Sequence, residues 1–177
     1  MRREIILAGF GGQGILKAGF ILGKSAVVYE GLEATFIPSY GPEARGGACS
    51  AQVVISDKKI HYPYADNPEI LVAMSQEAFT KFIDRVKEEG IVIIDQDLVK
   101  IENFEVLKGK KLYKIPATRI AEKIGNRIAS NIVMLGYLCK VTKIVKKESL
   151  KKSVESEVPP HTLELNISAF EAGYNHE

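Results

Sequence analysis

The chain predicts an α/β fold: a mostly parallel open sheet flanked by helices, with a C-terminal helical segment and an extended arm. Three observations carry this. Short apolar runs alternate with segments of helical period along most of the chain. Two of these runs, Ile5-Ile6-Leu7-Ala8 and Ile91-Val92-Ile93-Ile94, are apolar without a break, as strands buried on both faces are. The first run empties into Gly9-Phe10-Gly11-Gly12-Gln13-Gly14, a turn that leads into a helical segment.

Each element has its own signal. Glu4–Ala8 reads as the first strand, followed by a helix from Gln13 to Tyr29. Gln13, Lys17 and Lys24 form one narrow polar stripe on that helix. Its remaining surface, with Ile15, Leu16, Phe20, Ile21, Val27 and Val28, exceeds what one sheet contact needs, so the helix is deeply buried or meets a partner chain. Strands follow at Ala34–Pro38 and Ala51–Ser56, and Asp57-Lys58-Lys59 makes a tight turn into Ile60–Tyr62. The stretch from Pro38 to Tyr64 is short of helix and suits a local antiparallel piece. Ile70–Met74 is a further strand. Ser75 caps the next helix, which runs to Glu89 and stops at Gly90. Ile91–Ile94 and Leu112–Ile115 complete the strands. Helices follow over Thr118–Ile124, Ala129–Val141 and Ser149–Ser156, the last broken by Pro159-Pro160. Alternating Leu163, Leu165 and Ile167 predict the extended arm, and Ser168–Gly173 a closing short helix.

At 177 residues the chain suits one domain spanning 1–177. A net charge of +2 gives no argument for a nucleic-acid surface. No apolar run reaches the ~18 residues of a membrane span. Met1-Arg2-Arg3 leads straight into a strand with no cleavage-type site after it, so the chain reads as cytoplasmic. Its two cysteines, Cys49 and Cys139, lie far apart and form no Cys-x-x-Cys, so the chain by itself offers no four-cysteine cluster site. The three histidines are scattered, and no metal site is expected. Asp95 and Asp97 suggest metal binding, but the end of a buried strand at a solvent edge explains them as well.

The spacing Gly9-x-Gly11-x-x-Gly14 after a strand and before a helix matches the context of a dinucleotide fingerprint. Such glycines permit a tight turn and close approach, and the amides of the helix start favour an anion. The acid that should end the second strand and hold a ribose is missing: Phe36-Ile37-Pro38-Ser39 stands there, and Glu30 and Glu33 come too early. No Gly-Lys-Ser/Thr follows, which excludes a P-loop. Three readings stay open: a dinucleotide seat, close packing of helix on strand, or a surface that meets another subunit.

A second glycine-bearing segment follows, Tyr40-Gly41-Pro42-Glu43-Ala44-Arg45-Gly46-Gly47. It falls at the carboxyl end of a strand, the edge at which open α/β sheets bind ligands. Arg45 beside Gly46 and Gly47 can reach a carboxylate or phosphate, and Glu43 can pair with it. Ser75 and Gln76 stand at another strand-to-helix junction. Asn131 is a polar residue inside an apolar helix, either a satisfied core amide or an interface hydrogen bonder.

Taken with Asn131-Ile132-Val133-Met134-Leu135-Gly136 and the closing Leu165-Asn166-Ile167-Ser168-Ala169-Phe170-Glu171-Ala172-Gly173-Tyr174, these motifs resemble the gamma subunit of the 2-oxoacid:ferredoxin oxidoreductases over nearly the whole chain. Tyr40–Gly47 and Met74-Ser75-Gln76-Glu77-Ala78 look more like the 2-oxoglutarate or branched-chain 2-oxoacid branch than the pyruvate branch. The resemblance implies a Rossmann-like unit in a complex that decarboxylates a 2-oxoacid, passes electrons to ferredoxin and forms an acyl-CoA. It implies partner chains of alpha, beta and delta type that hold thiamine diphosphate, Mg and iron–sulfur clusters, with ferredoxin met only indirectly. This chain would hold no cofactor alone and no catalytic residue. It would help assemble the complex and border the coenzyme A cleft. Gly9, Gly11, Gly12, Gln13, Gly14, Tyr40, Glu43, Arg45, Gly46, Gly47, Ser75, Gln76 and Asn131 are the candidates for the ligand- or partner-facing surface. A stand-alone dinucleotide-binding module or dehydrogenase is the alternative.

Overall fold

The computed structural model describes residues 1–41 and 47–177. Six strands form one sheet: β1 (Arg2–Phe10), β2 (Glu33–Tyr40), β3 (Ala48–Ser56), β4 (Ile70–Ala73), β5 (Ile91–Asp95) and β6 (Lys111–Ile115). Their order across the sheet is β2-β3-β1-β4-β5-β6. β4 pairs parallel with β1 and β5, and β6 parallel with β5. β3 is antiparallel to both β1 and β2. So β3 alone runs against the other five strands, which share one direction. The expected antiparallel piece is this insertion: β3 turns back from β2 and fills the gap between β2 and β1.

The helices are α1 (Ile15–Glu30), α2 (Gln76–Phe82), α3 (Ala117–Ile124), α4 (Ser130–Thr142), α5 (Lys147–Glu157) and α6 (Leu163–Tyr174). Alternate strand residues divide the core into two layers. Ile5, Leu7, Val53, Ile55, Val72 and Ile93 face the layer built by α1, α3, α4, α5 and α6. Ile6, Ala8, Val54, Leu71 and Val92 face a thinner layer formed by α2 and the loops around Val86, Val99 and Leu107. β1 and β4 sit in mid-sheet, which explains runs that are buried on both faces.

Three expectations need correction. No extended arm follows Pro160: a 3₁₀ turn at Pro160–Thr162 feeds directly into α6. The alternation of Leu163, Leu165 and Ile167 misled because the buried face of α6 is Asn166, Ala169, Phe170 and Gly173, a helical spacing carried partly by polar and small residues. The helix after Ser75 does not reach Glu89. It ends at Phe82 and passes into a 3₁₀ turn at Ile83–Arg85, because Lys87 N–H donates to Pro68 O (2.9 Å) and Glu89 N–H to Gly109 O (2.8 Å). α1 begins at Ile15 rather than Gln13, since Gly14 is left-handed (φ 72°). Ile60–Tyr62, which follows the turn at Asp57-Lys58-Lys59, lies outside any strand or helix. It belongs to a loop that crosses the sheet, held where Thr35 Oγ1 donates to Pro63 O (2.9 Å) and Ala65 N–H to Gln52 Oε1 (2.8 Å).

α4 and α6 cross at glycines. A Cβ on Gly136 would overlap the Phe170 carbonyl oxygen, and one on Gly173 would overlap that of Val133. α5 is tied to α1 by a polar seam: Ser153 Oγ donates to Ile21 O (2.7 Å), and Lys24 Nζ meets Glu157 at 2.5 Å.

Candidate functional site

The glycine turn joins the carboxyl end of β1 to α1. Gln13 N–H donates to Phe10 O (3.2 Å), and Gly12 and Gly14 have φ of 90° and 72°. Only glycine takes such angles without strain, so the turn is written by those two residues. α1 has no side-chain cap. Gln13 does not continue the helical stripe with Lys17 and Lys24. Its side chain folds back into the turn, where Oε1 accepts from Phe10 N–H (2.7 Å) and Nε2 donates to Met74 O (2.9 Å). It thereby links the ends of β1 and β4. Gly9 leaves room for it, since a Cβ there would overlap Gln13 Oε1.

Asn131 reaches the same turn from α4. Its Nδ2 donates to Gly14 O (3.0 Å) and its Oδ1 accepts from Ile132 N–H (2.9 Å). Of the two sequence readings, a satisfied core amide is the one observed. A Cβ on Gly14 would overlap Asn131 Nδ2.

The second glycine segment is drawn against the first. Gly11 N–H donates to Gly47 O (2.8 Å), and Gly41 N–H donates to Ala48 O (2.6 Å) at the segment's root. Glu43, Arg45 and Gly46 lie outside the described residues. Tyr40 is 74% exposed at the rim. Beneath it Ala8, Gly9, Ser39, Cys49, Glu77 and Lys81 line a crevice of about 20 Å³, enough for a single water. Among the described residues that crevice by itself has no room for a nucleotide or coenzyme.

Ser75 is the expected helix cap, its Oγ accepting from Ala78 N–H (3.1 Å). Gln76 is not brought to the crevice. Its Oε1 accepts from Lys100 N–H (2.8 Å), so it braces the loop that follows β5. Gly9, Gly11, Gly12, Gln13, Gly14, Gly47, Tyr40 and Asn131 therefore gather at one edge, with Ser75 directly after Met74.

Sequence reasoning offered Asp95 as half of a metal pair or as a strand end at a solvent edge. It is fully buried and accepts from Thr118 N–H (3.0 Å), Thr118 Oγ1 (2.7 Å) and Asp97 N–H (3.1 Å), so it caps α3 from the neighbouring strand. Asp97 is gripped by Arg119 through two bonds (2.9 and 2.6 Å), which hold its carboxyl below the usual range. Among the described residues no group of three or more His, Cys, Asp or Glu is placed to hold a metal. Burial pushes the Cys139 thiol up to about 12 and raises that of Cys49, which leaves both protonated and unreactive near neutral pH. No helix of the described residues is long and apolar enough to cross a membrane.

Part of the excess apolar surface of α1 does remain open. Phe20, Val27 and Val28 are exposed beside Phe36 of the edge strand β2, with the Phe20 and Phe36 rings edge to face at 6.0 Å.

Comparison with known proteins places this geometry. Residues 4–176 match the family model described as pyruvate ferredoxin/flavodoxin oxidoreductase. The 2-oxoglutarate synthase subunit KorC of Methanocaldococcus jannaschii is 51% identical over 175 residues, 98% of this chain and 93% of that protein. The crystal structure of a keto/oxoacid ferredoxin oxidoreductase gamma subunit from Geobacter sulfurreducens superposes with a TM-score of 0.85 at 37% identity, covering 97% of this chain and 96% of that one. A 2-oxoglutarate:ferredoxin oxidoreductase from Magnetococcus marinus, with 2-oxoglutarate, coenzyme A and succinyl-CoA bound, superposes with a TM-score of 0.84 at 28% identity, over 97% of this chain and 30% of that one.

Proposed function

The chain belongs to the pyruvate ferredoxin/flavodoxin oxidoreductase family as a gamma subunit of a 2-oxoglutarate:ferredoxin oxidoreductase, and from that we propose that its glycine edge forms one wall of the coenzyme A cleft while its apolar flank seats a partner chain. The observation that carries the first half is the bond from Gly11 N–H to Gly47 O. It joins the opening glycine turn to the segment that bears Arg45, at the sheet edge where such folds bind ligands. The small crevice fits a wall better than a complete pocket. The Magnetococcus relative, which holds coenzyme A, supports the same ligand.

Within the complex, oxidative decarboxylation of the 2-oxoacid to an acyl-CoA, with ferredoxin as acceptor, belongs to cofactors on other chains. On this reading the described residues contribute no acid, base or nucleophile to the reaction. Arg45 supplies a fixed positive charge for a phosphate or carboxylate. Phe20, Val27 and Val28 offer the apolar area for assembly. The partner we assign there is the subunit equivalent to the remainder of the Magnetococcus chain, of which this fold is 30%.

The test is Arg45→Ala in the reassembled complex. The expected result is a rise in KM for coenzyme A of about tenfold, the value of one charge-assisted bond, with kcat unchanged. An unchanged KM would remove Arg45 from the cleft.

A further inference from the structure

In a dinucleotide fold the space between the first glycine turn and the end of the adjacent strand belongs to the ligand's pyrophosphate. Here it contains a side chain. The Gln13 carboxamide spans from Phe10 N–H (2.7 Å) to Met74 O (2.9 Å), two backbone groups more than sixty residues apart in sequence. Gly9 is moulded around it, because any Cβ at that position would strike Gln13 Oε1. The neighbouring amide, Gly11 N–H, is then aimed at Gly47 O (2.8 Å), where the arginine-bearing segment returns to the sheet.

We infer that Gln13 is a positioning residue: its carboxamide takes the place of a bound phosphate, locks the β1 and β4 ends together, and thereby fixes where the 41–47 segment is anchored. Both hydrogen-bonding ends of the amide are needed for this. An amide can accept at one end and donate at the other, and no other side chain of that length does both without a charge. Removing it leaves Phe10 N–H and Met74 O facing each other across an open gap. The Gly11 amide then loses the constraint that points it at Gly47. The same filling explains how a chain with a dinucleotide spacing can lack a ribose-binding acid, since the ligand's seat is already occupied.

The effect on catalysis rests on the reading of this edge as a coenzyme A wall; the effect on the backbone does not. The experiment separates them. In the assembled complex, Gln13→Met keeps the length and removes both bonds, and Gln13→Glu keeps the acceptor for Phe10 N–H but loses the donor to Met74 O. Amide exchange at Phe10, read by mass spectrometry, is expected to speed up about tenfold in Gln13→Met, which removes its acceptor, and less in Gln13→Glu, which keeps it; exchange at Gly11 is expected to speed up in both, since the Glu carboxylate confronts Met74 O. KM for coenzyme A is expected to rise in both variants with kcat held. Faster exchange with KM unchanged would uphold the positioning role and contradict the coenzyme A wall. A raised KM with exchange unchanged would overturn the positioning role and make Gln13 a direct ligand contact. No change in either would overturn the inference outright.

Discussion

At the residue scale the site is a set of amides satisfied by other amides. Asn131 was visible in the sequence as a polar interruption of an apolar helix, but its partner was not, because Gly14 lies 117 residues away. The same holds for Gln13, whose place in the turn was legible and whose two bonds were not. Asn131→Ala should lower stability by about 2 kcal/mol, the worth of its two hydrogen bonds, to Gly14 O and from Ile132 N–H, even though Gly14 O keeps its bond from Ala18 N–H. Asn131→Asp should cost more, because a buried carboxylate replaces the donor and confronts that carbonyl. Urea denaturation of the three proteins reads the order directly. Equal midpoints would mean that the amide does not stabilise the turn.

At the element scale, strands were legible where burial on both faces made them uniformly apolar, as in β1 and β5. α6 was not, because its buried face carries Asn166 and Gly173 in place of large apolar residues. The close crossing of α4 over α6 rests on glycine. Gly136→Ala should destabilise by about 3 kcal/mol, the upper range for overpacking, because the obstacle is backbone rather than a movable side chain. For a chain of this size that is a fall in Tm of about 6–12 °C. A second clamp is ionic. Glu171 accepts from Lys147 (2.8 Å) and Lys151 (3.0 Å), and the Lys147 bond above all holds its carboxyl below the ordinary range. A carboxyl depressed in the folded state stabilises fully above its unfolded value, and that stability is lost as pH falls through the lower folded value. Thermal melts should therefore drop as pH falls below about 4.3, and Glu171→Gln should flatten that part of the profile. An identical profile in the variant would show that the clamp contributes nothing.

At the scale of the whole molecule, the mostly parallel sheet and the antiparallel insertion followed from the order of apolar runs and glycines. The function did not follow from fold, because the glycine spacing is shared with proteins that bind dinucleotides. The absence of an acid after β2 separates this chain from them, as does the carboxamide of Gln13 in the turn. On the proposed reading, the exposed Phe20, Val27 and Val28 are the apolar flank that a partner chain covers. The account is tested most directly by hydrogen exchange on the assembled complex with and without coenzyme A. It predicts slowed exchange at Gly9–Ile15 and at Ser39–Ser50 of this chain when coenzyme A is added. Protection confined to the other subunits, with these two segments unchanged, would contradict it.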